Sequence, residues 1–363
     1  MVLKYTLLCI FHLLCTILLL NVFILILPFD ATNYLRVANF LTCAIIAKVT
    51  FGYSRKLFLG EKLKPKGKAV LITGSARGIG NALAKHLDSK GYHVFASCRD
   101  SNSSGADDLR KSCSCRLKVL QLDVTKDESV EKAVKFVKEN LGACEFWAIV
   151  NNAGIHKGFL TELTSIQDFK DTYETNVLGA IRVTKAFLPL LRKSRGRVVN
   201  MASLAGRIAV PYIGSYTITK YALIGFSEYL RYEMDVWGIR VISIEPELFE
   251  TDLTTEKNMM SRFNNAIISA DEDVRKDYGE KFLRECKTAL TRGIPPSPDI
   301  HKILDAVELA VCLKTPANVY KVYRNIAFAF LCNICEYCPT EFQIFIGSIY
   351  FRIMGLSKPE KAS

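Results

Sequence analysis

The chain has 363 residues, half of them hydrophobic, with 48 basic and 36 acidic side chains and a net charge of +12. That length suits one large α/β domain with extensions, at about 150 residues per domain. No nucleic-acid motif accompanies the positive charge, so a nucleic-acid partner is not expected. The twelve cysteines include Cys332, Cys335 and Cys338 in a CxxCxxC run. No fourth ligand follows at a suitable spacing, so these read as small packed side chains and no metal is expected.

Residues 5–29 carry no charged side chain. A run of that length can cross the roughly 30 Å hydrocarbon core of a bilayer and reads as an uncleaved anchor. A weaker apolar run at 37–51 carries Lys48. Arg55, Lys56, Lys62, Lys64, Lys66 and Lys68 follow, with Glu61 alone against them, a pattern suited to anionic headgroups. The expected organisation is a membrane anchor region at 1–54, a basic linker at 55–67, a catalytic domain at 68–320 and an apolar, membrane-associated segment at 321–363.

From residue 68 the chain alternates short β-rich runs with helical patterns. "AVLIT", "HVFAS", "LKVLQLDV", "FWAIVNNAG", "GRVVNMAS" and "IRVISIEP" read as strands. Helices are expected after the first glycine turn, ending at Gly91, and at 129–140, about 168–192, from Tyr216 to about Trp237, and at 301–314. This alternation predicts an α/β fold, a doubly wound parallel sheet of the Rossmann type, with ligands at the carboxyl ends of the strands. The charged, helix-prone stretch at about 250–298 reads as a helical insertion near the substrate.

"TGSARGIG" places Gly74, Gly78 and Gly80 between a strand and a helix, where glycines allow a tight turn and close approach to a pyrophosphate. Cys98 stands where a ribose-binding acid would select NAD, Arg99 follows it, and Arg77 lies in the turn. Two guanidiniums suit a 2′-phosphate, so NADP(H) is favoured over NAD(H).

Tyr216 and Lys220 share one helix face at a spacing of four, where a cation lowers a phenol's pKa. Ser203 ends a strand thirteen residues earlier. With Thr73-Gly74-x3-Gly78-Ile79-Gly80, Asp123-Val124, Asn151-Asn152-Ala153-Gly154 and Asn176, the chain resembles the short-chain dehydrogenase/reductases over about residues 67–320. The resemblance implies that Tyr216 exchanges the proton on the substrate oxygen and that Ser203 hydrogen-bonds the same oxygen. Lys220 would hold the nicotinamide ribose, and Asn176 a relay water. It likewise implies cofactor contacts from Gly74, Ser75, Arg77, Gly78, Ile79, Gly80, Arg99, Asp123, Val124, Asn151, Ala153, Gly154, Tyr216, Lys220 and Thr251. One departure is Glu247 in "PELFET", where the family commonly has glycine; a glycine at positive φ there would leave glutamate strained.

"LPLLRKSRGRVVN" and "VRKDYG" resemble the branch of steroid, retinol and D-3-hydroxybutyrate dehydrogenases. With an anchor, the expected substrate is a lipophilic secondary alcohol or ketone, or a retinoid. A hydroxybutyrate enzyme, with Arg207 as the pocket cation, and an inactive membrane interaction module are the alternatives. The expected location is the endoplasmic reticulum membrane, with the mitochondrial membrane as alternative; monomer and homodimer both stay open.

Overall fold

The computed structural model describes residues 10–12, 14–18, 22, 50–52, 54 and 58–362. Most of the expected anchor at 5–29 and of the run at 37–51 lies outside them. Among the described residues, no helix is long and apolar enough to cross a membrane. The chain divides into two units, residues 1–64 with 312–316, and residues 65–311 with 317–363. In the first, Lys62 forms an antiparallel bridge with Leu313, and the Leu63 amide donates to the Cys312 carbonyl at 2.7 Å.

The second unit is built on seven parallel strands: β1 (Lys68–Ile72), β2 (His93–Cys98), β3 (Leu117–Gln121), β4 (Glu145–Asn151), β5 (Arg197–Met201), β6 (Arg240–Pro246) and β7 (Val319–Val322). Their order is β3-β2-β1-β4-β5-β6-β7. The helices up to β6 are α1 (Gly78–Ser89), α2 (Ser104–Ser112), α3 (Asp127–Asn140), α4 (Ile166–Tyr173), α5 (Gly179–Ser194) and α6 (Gly214–Asp235). After β6 come α7 (Glu256–Ser269), α8 (Glu272–Tyr278), α9 (Glu280–Arg292), α10 (His301–Cys312), α11 (Ile326–Tyr337) and α12 (Thr340–Ile353).

Parallel strands must be covered on both faces, and the sequence supplies apolar residues for both. Leu71, Ile149 and Val198 pack on Val130, Val137, Val183, Phe187 and Leu230 from α3, α5 and α6. Their strand neighbours Val70, Ile72, Val150 and Val199 are as fully buried on the opposite side. α10 is tied to β4 by the Trp147 indole, which donates to the Val311 carbonyl at 2.9 Å. Lys68 lies 3.7 Å and Arg197 4.3 Å from the centroid of a Trp147 ring.

Three features differ from the sequence reading. α2 and β7 were not among the expected elements. The helix expected at 168–192 is interrupted by a π turn, Glu174–Leu178, which places Asn176 outside the regular α ladder. The sheet order reverses direction between β1 and β4, and the carboxyl ends of those strands open the site described next.

Candidate active site

The glycine turn is fastened to the end of β4 by side-chain hydrogen bonds. Thr73 Oγ1 accepts from the amides of Asn152 at 3.0 Å and Ala153 at 2.9 Å. Asn152 Nδ2 donates back to the carbonyls of Thr73 at 2.9 Å and Gly74 at 3.1 Å. No side chain fits between these backbones. A Cβ on Gly80 would stand 2.2 Å from the Gly74 oxygen, and one on Gly74, at φ +71°, 2.9 Å from Ala153 Cα. Gly78, at φ +58°, faces open space. α1 starts after Arg77 with no side chain capping its amides. An uncapped helix start behind a glycine cradle fits a dinucleotide pyrophosphate.

Ser75 uses both of its donors inside the fold. It is fully buried, its hydroxyl donating to the Ile72 carbonyl at 3.0 Å and its amide to the Ser97 carbonyl at 2.7 Å. Ile79 lies in the first turn of α1 beside the cradle. Gly154 approaches Asn176 so closely that a Cβ would lie 3.3 Å from Asn176 Oδ1.

At the adenosine side, Asp123 Oδ1 accepts from the Thr125 hydroxyl at 2.7 Å and its amide at 2.9 Å. Burial pushes this carboxyl upward, but the Thr125 hydrogen bonds win and hold it below the usual range. Val124 is buried against Gly179 of α5, whose Cβ would stand 2.6 Å from Val124 Cγ2. Cys98 is buried at the end of β2, its thiol pushed up to about 11 by burial. Arg99 next to it is exposed. Arg77 is exposed as well, and its Nε stands 3.3 Å from Asp252 Oδ2. Arg77 is therefore already paired, and Arg99 is the less committed of the two cations.

Asn151, at the end of β4, turns its side chain into the core. Its Nδ2 donates to Thr184 Oγ1 at 2.9 Å and Asn200 Oδ1 at 2.8 Å. Asn200 in turn donates to Ser227 at 2.8 Å. The side chain belongs to a polar chain inside the core.

The catalytic candidates converge above β5. Ser203, next to the end of that strand, donates to the Pro246 carbonyl at 3.2 Å and accepts from the Ala205 amide at 3.1 Å. Tyr216 and Lys220 come from the first turns of α6, as their spacing of four requires. Burial pushes the Tyr216 phenol up to about 12, while the adjacent Ser203 hydroxyl acts to lower it. Lys220 Nζ donates to the Met201 carbonyl at 2.6 Å and lies 5.2 Å from the Tyr216 ring centroid. Burial pulls that ammonium down to about 8. The expected depression of Tyr216 by Lys220 is absent from this geometry: the ammonium is engaged by a carbonyl, and desolvation dominates the phenol.

Asn176 closes the group from the π turn. Its Oδ1 accepts from the Ile155 amide at 2.8 Å, and Nδ2 donates to the Ile155 carbonyl at 2.9 Å and Thr219 Oγ1 at 3.0 Å. The side chain thus locks the chain after β4 onto α6, so a relay water cannot take these amide hydrogens without breaking them. Thr251 starts a short 3-10 turn in the loop after β6, its amide donating to Thr254 Oγ1 at 2.8 Å. Glu247 at the head of this loop is not strained. Among the described residues, only Arg195 and Tyr212 combine a side chain with positive φ.

Sequence reasoning missed His156 and Tyr212. The His156 ring centroid lies 5.5 Å from that of Tyr216. Tyr212, at φ +68°, stacks on Phe159 at 4.9 Å. A bulky residue in the left-handed region is costly and needs such packing to persist. His156 directly follows the "NNAG" run, a signal available in the sequence.

This arrangement matches a known family. The model of the family described as short chain dehydrogenase matches residues 68–262. The chain belongs to the short-chain dehydrogenase family. It is 39% identical over 277 residues to estradiol 17-beta-dehydrogenase 2 of Mus musculus, covering 76% of this chain and 72% of the relative. It is 40% identical over 277 residues to the mitochondrial D-beta-hydroxybutyrate dehydrogenase of Rattus norvegicus, covering 74% and 80%. Retinol dehydrogenase 16 of Rattus norvegicus is 37% identical over 299 residues, covering 81% and 90%. Among solved structures, a short-chain dehydrogenase from Streptomyces avermitilis superimposes with a TM-score of 0.58 at 25% identity, covering 80% of this chain and 98% of that one. As a family member the chain is an NAD(P)-dependent oxidoreductase acting on CH–OH groups and the corresponding carbonyls.

Proposed function

We propose that this short-chain dehydrogenase is membrane-seated and acts on a lipophilic secondary alcohol or its ketone, with NADP(H) favoured. The observation that carries the reading is the convergence of Tyr216, Ser203 and Lys220 above an uncapped glycine cradle. A bound nicotinamide cofactor would supply hydride chemistry at the carbinol carbon. Tyr216 then gives or takes the proton at the substrate oxygen, and Ser203 donates a hydrogen bond to the same oxygen as charge gathers there. Lys220 would hold the nicotinamide ribose. The phenol is protonated at neutral pH, the form that serves carbonyl reduction.

Arg207 gives no support to the hydroxybutyrate alternative. Its guanidinium meets Glu245 at 3.0 and 3.1 Å and Glu228 at 3.0 Å, so its charge is neutralised within the protein. The test is turnover of a steroid, retinoid and 3-hydroxybutyrate panel by the full-length protein in membranes, with NADH and NADPH. Oxidation of 3-hydroxybutyrate alone would sink the lipophilic reading.

Exposed Arg99 is the proposed reader of the 2′-phosphate. Arg99→Asp is expected to lower the NADPH-to-NADH ratio of kcat/KM by roughly tenfold or more, since it replaces a charge-assisted contact with repulsion. An unchanged ratio would exclude Arg99 as the selector.

The C-terminal helices support membrane seating. No residue of α11 is buried, and Ile326, Phe330, Phe342, Ile344, Phe345 and Ile353 are all exposed. Broken at Pro339, this pair suits a surface-lying arrangement. Deleting residues 1–51 is therefore expected to leave a protein that still floats with liposomes at high salt. A truncated protein that ignores liposomes would overturn the role given to α11 and α12.

A further inference from the structure

We infer that Thr219 is a positioning residue for proton transfer. Its hydroxyl ties the backbone of Tyr216 to Asn176 and so fixes where the phenol meets the substrate oxygen. This deepens the proposed function and rests on the role given there to Tyr216.

The partners fix the direction of each bond. Asn176 is held by both backbone groups of one residue, Oδ1 accepting from the Ile155 amide at 2.8 Å and Nδ2 donating to the Ile155 carbonyl at 2.9 Å. An amide gripped on both sides cannot flip, so it is the second Nδ2 hydrogen that meets Thr219 Oγ1 at 3.0 Å. Thr219 must accept there, and its own single proton goes to the Tyr216 carbonyl at 2.7 Å. Asn176 and Thr219 are each 1% exposed, so water does not replace either bond.

A hydroxyl bonded back to a carbonyl of the preceding turn competes with the helix ladder and adjusts that turn. Here the turn is the one that carries Tyr216 at the start of α6. Ser215 Oγ, on the other side of Tyr216, donates to the Lys157 carbonyl at 2.5 Å. The His156 ring lies 5.5 Å from that of Tyr216. The segment 155–157 therefore grips Tyr216 three ways: through Asn176 and Thr219 after it, through Ser215 before it, and through His156 at its ring. The phenol oxygen stands at the far end of the side chain, where a small tilt of the backbone is amplified. Loss of the Thr219 hydroxyl frees the Tyr216 backbone from Asn176 and removes no group that meets substrate or cofactor.

Ser227, about two turns further along α6, supplies a control. It accepts from Asn200 Nδ2 at 2.8 Å and donates to the Leu223 carbonyl at 2.7 Å, the same pair of bonds away from Tyr216.

The experiment uses full-length protein in detergent micelles, NADPH, and estrone, retinal and acetoacetate as carbonyl probes. Thr219→Val keeps the side-chain shape without the hydroxyl. It is expected to lower kcat by about 10- to 100-fold, the cost of a misplacement of up to about 1 Å, with cofactor affinity unchanged. Thr219→Ser keeps donor and acceptor and is expected within about threefold of wild type. Ser227→Ala is expected to lose comparable stability but keep kcat within about threefold. In the Tyr216→Phe background Thr219→Val should add no further loss, because no phenol is left to place. Wild-type kcat in Thr219→Val, an equal loss in Thr219→Ser, or a matching loss in Ser227→Ala would overturn the positioning role. Wild-type turnover in Tyr216→Phe would strike the role of Tyr216 itself, and the inference with it. If no probe is reduced, NMR of protein isotopically labelled at tyrosine Cζ decides, the Tyr216 resonance being the one lost in Tyr216→Phe. A resonance shifted in Thr219→Val and restored in Thr219→Ser upholds the link, and one unmoved by Thr219→Val overturns it.

Discussion

Tyr216→Phe is expected to lower turnover by about 10²- to 10⁴-fold, the range for removal of a general acid, while leaving cofactor affinity close to wild type. The ring stays in place beside His156, and Lys220 keeps its bond to the Met201 carbonyl, which does not involve the phenol. Only the transferable proton and the contact with Ser203 are removed. Because kcat/KM reports ionisations of the free enzyme, the pH profile follows from the two shifted groups. Burial sets the phenol at about 12, so Tyr216 is protonated throughout the neutral range. Burial sets Lys220 at about 8, so its ammonium is present below that pH and is lost as pH rises through it. Carbonyl reduction should therefore fall above about pH 8 in wild type. Lys220→Arg, if it still binds cofactor, should move that fall upward. More than about a hundredth of wild-type activity in Tyr216→Phe would remove the tyrosine from proton transfer.

How far the sequence revealed this depends on the range of the interactions involved. The glycine turn, the "NNAG" run and the Tyr216–Lys220 spacing are local patterns, and the βα alternation places all three at one sheet edge. The parallel sheet was legible for the same reason, since its strands are short apolar runs bounded by glycines and helices. β7 was not, because "VYKV" is four residues long and is a strand only through its pairing with β6. The π turn at Asn176 depends on contacts with Ile155 and Thr219 from other elements, so an unbroken helical pattern concealed it. The side-chain partners of Asn151 were hidden for the same reason. Its partners Thr184 and Asn200 lie 33 and 49 residues away, and they draw the side chain into the core. Arg207 shows the converse: a cation near Ser203 in sequence is consumed by Glu228 and Glu245.

Glu247→Ala is expected to destabilise the protein by about 3 kcal/mol, because it leaves a largely buried guanidinium without its counter-charge. Glu247 is the residue that stands where the family commonly has glycine, and its partner is 77 positions away. Its carboxylate is 2% exposed and accepts from Arg324 Nε at 3.0 and 3.1 Å, and also from the Arg324 amide. Arg324 reaches further, donating to the carbonyls of Pro295 at 2.9 Å and Leu248 at 3.3 Å, with its guanidinium 4.7 Å from the centroid of the Phe328 ring. The pair thus clamps the loop leading to Thr251 between β7 and α11. Two remaining carbonyl acceptors keep the expected loss at the lower end for a broken buried pair. Replacing both partners by Glu247→Ala with Arg324→Met should recover much of the loss, since no unpaired charge then remains. Denaturation of the full-length protein in detergent measures the single and double variants as a cycle. A loss below about 1 kcal/mol in Glu247→Ala would place the pair among surface-type ion pairs. It would also leave the glutamate in this loop without a structural reason.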